Sequence, residues 1–517
     1  MRKFLVIAAV LISMVSFGQK IEFKVEGYPD TTINLVRYSG KGIFYADTAE
    51  IKNGFVSFDG SKQKAGMLAL YLPGEKQQLF EFFYNDEDVL IETKLPAMLM
   101  NAKVKKSEEN KIFVDYLRFL NSQRTKMNAY QEQLKKAEKD SKQYETIRGH
   151  INETTDEVVA YQNDIINKHP DMLVARFIKM SQDIEIPKEA PATENGEPID
   201  SNWRFKYYRA HYWDNLYDFK DDRLVRNKVY GQKLEKYFSK SMMIQHWDTV
   251  LYYAYDLCDR LDPKSEMFQY TVSWITSTYE KSKIMGMDKV FVGMAQRYYC
   301  ARDAEGKRLA HWVKPNKLDE LCDRAFSQRN LVMGVKPPNV RLLDSTNRVW
   351  HDYYSLDNEY TILYFWDPEC GHCKKVTPKL QTLYSKKFRD RNIDIFAVGK
   401  AVGEDFGKWK KFIKKHNLEF INVAVTDSLF QLASDTTNNQ QKLKEVLKST
   451  TIESLNYQKT FDIFSTPKVL ILDKDKKIIG KSLSVGQMEE FLDKLQGKED
   501  VEKLFPVEEE PEDEKVH

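Results

Sequence analysis

Tyr364-Phe-Trp-Asp-Pro-Glu-Cys370-Gly-His-Cys373-Lys-Lys-Val-Thr-Pro378 decides how this chain is read. An apolar run, Tyr360–Trp366, has the length and bulk of a buried strand, and Asp367-Pro368 breaks it. Two cysteines separated by two intervening residues follow, at the expected start of a helix. There the backbone N–H groups lack intrahelical partners and the helix dipole favours an anion. Such a position brings a thiol from about 8.5 down to between about 3.5 and 7.5, and only the thiolate attacks a disulfide. Cys370 is therefore read as the attacking sulfur. Cys373, one turn further on, is read as its resolving partner.

The sequence around this stretch alternates strands with helices. Ile393–Val398 is strand-like, and Phe406, Trp409, Phe412 and Ile413 fall on one helix face. Lys468–Leu472 and Lys477–Lys481 flank a turn, and a last helix is expected near Gln487–Leu495. With Pro337-Pro338 at its opening, residues 331–497 read as an α/β sheet covered on both faces.

This region is similar to the thioredoxin superfamily, and within it to the exported proteins of the TlpA and ResA type. Beyond the cysteine pair the resemblance rests on three matches. Trp366 stands four before the first cysteine, Pro378 five after the second, and Ser465-Thr466-Pro467 begins a distant strand. The resemblance implies a cis peptide before Pro467 and substrate contacts at Trp366, Thr466 and Pro467. His372 and Gly371, between the cysteines, are read as tuning the redox potential. A partly protonated imidazole favours the thiolate, placing the pair nearer the about −180 mV of disulfide isomerases than the about −270 mV of thioredoxin. Two positions depart from the family. Tyr364 stands where thioredoxin has a buried aspartate, and Val376 where ResA-like proteins have a glutamate. Asp367, Glu369 or water are left as candidate proton acceptors, although the two carboxylates also suit ordinary loop positions.

Upstream, residues 19–105 read as a β-sandwich, with candidate strands Ile21–Val25, Ile33–Val36, Gly54–Phe58, Met67–Leu72, Leu79–Phe83 and Val89–Glu92. Asn53-Gly54, Asp59-Gly60 and Pro73-Gly74 punctuate them. From Ser107 the period changes. Phe113, Tyr116, Leu117 and Leu120 mark a helix face, and residues 106–330 read as an all-α region interrupted by a loop at Pro187–Pro198. Its Tyr, Phe and Trp residues at helical spacing are read as core. These two regions also resemble domains of unknown function that precede such redox modules in Bacteroidetes envelope proteins.

Arg2 and Lys3 followed by the apolar run Phe4–Val15, with Ser16 and Gly18 before Gln19, read as a cleavable signal peptide over residues 1–18. The expected location is the periplasm, with no membrane span after cleavage but with membrane-surface contact left open. Lys+Arg 79 against Asp+Glu 77 gives a net charge of +2, which offers nothing for nucleic acid. Residues 498–517 are acidic and are read as a solvated tail.

Of the remaining cysteines, Cys258, Cys300 and Cys322, an unreactive set or one structural disulfide with a spare is expected. No cofactor and no metal are expected. A zinc site lacks a second cysteine pair, and a peroxidase would need a threonine where Asp367 stands. The expected activity is thiol–disulfide exchange with protein substrates, reset by an upstream redox partner. The alternative is a non-catalytic envelope binding protein with a vestigial or regulatory CxxC.

Overall fold

The computed structural model describes residues 19–72, 78–189, 201–434 and 440–507. The leader expected at residues 1–18, most of the Pro187–Pro198 loop and the last acidic residues lie outside them. The chain packs as two compact units, one running to Ile244 and including Tyr255–Thr271, the other comprising Gln245–Ala254 and the chain from Val272. The helical stretch read as one domain over residues 106–330 is thus divided between the two.

In the first unit, alternation of side chains builds a sandwich of two four-stranded sheets. β1 (Lys20–Glu26) buries Ile21, Phe23 and Val25 and turns Lys24 outward, the period expected of a half-buried strand. β2 (Thr31–Ser39), β3 (Gly42–Ile51) and β4 (Phe55–Asp59) follow, then β5 (Gly66–Leu72), β6 (Gln78–Tyr84), β7 (Val89–Lys94) and β8 (Lys103–Lys106). The sheets are ordered β4-β1-β7-β8 and β3-β2-β5-β6. They close over a shared core in which Phe23 meets Phe80 and Phe82 edge to face. Asn53 and Gly54 both take positive φ, as a tight hairpin between β3 and β4 requires.

The helices of this unit begin with α1 (Glu108–Lys136), capped by the Ser107 side chain, and α2 (Lys142–Lys168), capped by Ser141. α3 (Leu173–Ser181) takes its cap from a distance. The buried Glu109 carboxylate accepts from the N–H groups of Leu173 and Val174, each at 2.8 Å. Further helices of this unit occupy Trp203–His211 and Lys228–Tyr237.

The second unit holds α4 (Pro315–Gln328) and a seven-stranded sheet. Its strands are β9 (Arg341–Asp344), β10 (Trp350–Asp352), β11 (Tyr360–Trp366), β12 (Ile393–Gly399), β13 (Ile421–Ala424), β14 (Lys468–Leu472) and β15 (Ile478–Lys481). The order is β10-β9-β13-β12-β11-β14-β15. β11 is an interior strand, parallel to β12 and antiparallel to β14. Because successive side chains point to opposite faces, Ile362, Tyr364 and Trp366 face one layer while Leu363 and Phe365 face the other. The first layer contains α5 (Gly371–Leu383) and, at the end of the chain, α7 (Val485–Leu495), with α6 (Glu404–Lys415) supplying Trp409. The opposite layer is built from Leu429, Leu455, Tyr457 and Phe461.

One expectation is corrected here. The segment after Gly497 is not a solvated tail over its described length. Glu489, 0% exposed on α7, pairs with Lys387 and accepts from the N–H groups of Leu504 and Phe505 at 2.8 and 2.9 Å. Lys387 also donates to the Glu502 carbonyl, and Leu504 and Phe505 pack on the core. Leu504 and Phe505 are apolar side chains of this acidic stretch that reach the core.

Candidate redox site

Where β11 ends, Asp367 begins a turn and Cys370 becomes the residue that caps α5. Its φ and ψ are −68° and 125°, extended rather than helical, so its sulfur lies beside the unpaired N–H groups of the first turn. Cys370 is partly exposed and Cys373 is 0% exposed. Neither is bridged.

The two thiols are driven in opposite directions. Partial burial acts to raise Cys370, but hydrogen bonds outweigh it: the Cys373 backbone N–H first, then Thr466, the Cys373 thiol and the His372 backbone N–H. The net result lies below an ordinary thiol. In the thiol form, Cys370 Sγ donates to the Thr466 carbonyl at 3.1 Å. Burial pushes Cys373 up to about 11, against hydrogen bonds from the Asp367 backbone and Thr466.

Under Cys373 lies a contact that the motif alone does not announce. Tyr364 on β11 and Thr377 on α5 share a hydrogen bond of 2.8 Å between their hydroxyls, and both are fully buried. Cys373 and Thr377 are four apart on one helix face, and Tyr364 interacts with both. Burial and the adjacent Cys373 thiol hold the Tyr364 phenol well above its ordinary value, so it stays protonated and can donate. The signal was present in the sequence as a strand position facing inward and a helix spacing of four, but only packing joins them.

Asp367 and Glu369 are engaged elsewhere. Asp367 Oδ1 accepts from the Glu369 N–H at 2.8 Å, and Lys400 lies 3.3 Å from its other oxygen. Glu369 pairs with Lys408 at 3.4 Å and Lys374 at 3.6 Å. Their carboxylates serve the turn and its lysines.

The Thr466–Pro467 peptide is cis, and both residues border the site beside Cys370. Gly371 opens α5 with nothing within 4 Å of where a Cβ would stand, and His372 is exposed. A cleft of about 430 Å³ adjoins them, lined by His372, Lys375, Thr466, Pro467, Gln487 and Phe505. Trp366 departs from expectation. It is 1% exposed, stacked 6.5 Å from Tyr364 and packed on Phe412, so its ring supports the site from within the core. The same strand period that buries Tyr364 buries Trp366 two residues later.

Away from the site, Cys300 and Cys322 form a disulfide that ties α4 to the preceding segment, and Cys258 is a buried thiol. Among the described residues no group of three His, Cys, Asp or Glu side chains could hold a metal ion, and no helix is long and apolar enough to cross a membrane.

Residues 358–478 match the model of a thioredoxin-like family. Residues 189–321 and 19–113 match two domains of unknown function, DUF5106 and DUF4369. The soluble secreted antigen MPT53 of Mycobacterium tuberculosis is 31% identical over 78 residues, 15% of this chain and 42% of that protein, so the chain spans less than half the length of this curated relative. A domain of a possible thiol-disulfide isomerase from Cytophaga hutchinsonii is 28% identical, covering 32% of this chain and 94% of that one, with a TM-score of 0.24. A thioredoxin-like protein from Bacteroides caccae is 16% identical over 60% of this chain and 99% of that one, with a TM-score of 0.40.

Proposed function

We propose, from the premise that residues 358–478 are a thioredoxin-like domain, that this chain is a thiol–disulfide oxidoreductase acting through Cys370 and Cys373. The observation that carries the reading is the contrast between the two sulfurs. One is partly exposed and surrounded by hydrogen-bond donors, and the other is buried, protonated and in contact with it.

In the reducing direction the Cys370 thiolate attacks one sulfur of a substrate disulfide. That S–S bond breaks, a Cys370–substrate bond forms, and the departing sulfur takes a proton from solvent, equivalent to the one Cys370 lost on ionising. Cys373 then gives up its proton and attacks Cys370, releasing the second substrate thiol and leaving the Cys370–Cys373 disulfide. Two electrons and two protons have passed to the substrate. The oxidising direction is the reverse. Tyr364, which stays protonated, can donate to Cys373 while its sulfur is anionic, at a position where no carboxylate stands. Thr466 and Pro467 offer backbone to the incoming chain. His372 favours the thiolate of Cys370 through its backbone N–H, and Gly371, beside it in the first turn, leaves the approach to that sulfur open.

The substrates are protein thiols or disulfides, and a separate redox partner resets the pair. The setting is the periplasm, reached by a leader in residues 1–18. The Cys300–Cys322 disulfide supports an oxidising compartment of this kind.

Insulin-disulfide reduction coupled to dithiothreitol tests the proposal. Cys370→Ala should abolish turnover, whereas Cys373→Ala should accumulate mixed disulfides visible by mass spectrometry. A wild-type protein as inert as Cys370→Ala would instead favour a binding module with an idle cysteine pair.

A further inference from the structure

On the other layer of the same sheet, a cavity of about 850 Å³ opens among Leu321, Arg324, Val425, Phe430, Tyr457 and Phe464. That volume lies within the range of ligand-binding clefts, about 300–1,000 Å³. Its mouth carries two aromatic rings that the fold leaves in water: Phe464 is 80% exposed and Phe430 47% exposed. Two exposed aromatic side chains lining one cleft are suited to contact with an apolar group of another molecule.

Charge does not explain this cavity. Arg324, the cation at its centre, pairs with Glu280 and lies 3.8 Å from Asp462, and its guanidinium also sits 5.4 Å from the Phe464 ring centroid. Lys317 at the rim pairs with Glu320 at 2.8 Å. Asp323 and Lys459 also line the cavity, but most of its surface is apolar, with Leu321, Val425, Phe430, Tyr457 and Phe464 contributing to it. It suits an apolar group.

Position joins the cavity to the chemistry. Phe464 stands two residues before Thr466, whose carbonyl is 3.1 Å from Cys370 Sγ. Two residues of extended chain span at most about 7 Å. A polypeptide laid beside Thr466 with its cysteine at Cys370 therefore carries its neighbouring side chains past Phe464.

We infer that this cavity is a subsite for the polypeptide substrate, receiving an aromatic or large aliphatic side chain two or three positions from the reacting cysteine. The inference rests on the exchange reading above and adds the class of substrate. The protein then selects extended, incompletely folded chains, because a folded protein keeps such side chains inside. Phe464 and Phe430 act as specificity residues at the mouth, and Arg324 holds the Phe464 ring in place by stacking on it.

The test uses the reduced full-length protein and three oxidants. Two are cystine-linked peptides identical except for Phe or Ser three residues from the cysteine, and the third is oxidised glutathione. Rates of Cys370 oxidation are followed by quenching and mass spectrometry. The expected result is a Phe-to-Ser peptide rate ratio of about ten in the wild type, falling towards one in Phe464→Ser and in Phe430→Ser. Both positions are exposed, so neither substitution threatens folding. A wild-type ratio near one, or a ratio that survives both substitutions, overturns the subsite while leaving the exchange reading intact. Failure of the wild type to react with any of the three oxidants overturns both.

Discussion

Cys370 and Cys373 are three positions apart, yet the helix that begins between them gives their sulfurs opposite tendencies. Cys370 lies below an ordinary thiol because of its hydrogen-bond donors, and Cys373 is lifted to about 11 by burial. The thiolate fraction grows as pH rises through a group's pKa, so a lowered pKa moves reactivity to lower pH. Alkylation of the reduced protein with iodoacetamide, read peptide by peptide, should therefore label Cys370 with a midpoint below that of a free thiol. Cys373 should stay unlabelled until strongly alkaline pH. Equal midpoints would remove the assignment of attacker and resolver. This pair was legible because its chemistry depends on local spacing. The Tyr364–Thr377 bond was not, since it joins residues 13 apart through the packing of a strand on a helix. Trp366 shows the opposite error: proximity to the cysteines in the chain suggested contact with substrate, while the pleat of β11 turns its ring inward.

Elements whose faces are cleanly periodic were readable, and those that owe their place to neighbours were not. β1 and β7 alternate and stand where expected. β3, the ten-residue strand, was missed because it runs along the edge of its sheet and leaves Ile43, Phe44 and Tyr45 exposed, so no alternation marks it. The end of the chain was misread for a similar reason. Its acids suggested solvent, but α7 presents a buried Glu489 that needs partners, and Lys387 with the N–H groups of Leu504 and Phe505 supplies them. Removing one member of a buried ion pair costs about 3–5 kcal/mol, because the other charge is left unanswered. Glu489→Ala should accordingly lower the unfolding free energy by that order, read as a reduced urea midpoint. Glu499→Ala, exposed in the following segment, should stay within about 0.5 kcal/mol of wild type. Equal midpoints for the two variants would show the docked segment to be dispensable.

At the scale of the whole molecule, the five cysteines divide into a pair proposed to react, a structural bridge and a spare. The bridge closes a loop between positions 22 apart, for which chain entropy gives about 3 kcal/mol. Replacing Cys300 and Cys322 together by Ser should lower thermal stability by roughly that amount, read as a reduced Tm. It should leave the rate of Cys370 oxidation by glutathione disulfide unchanged. Loss of that rate would instead make the bridge part of the exchange pathway.

The spare is Cys258, fully enclosed. Under the proposed exchange activity, every copy of the chain carries a reactive Cys370, and any accessible third thiol on a neighbouring copy would be open to attack by it. Sealing that sulfur away keeps the molecule from rewiring its siblings, so a concentrated, air-exposed preparation should stay free of covalent dimers linked through it.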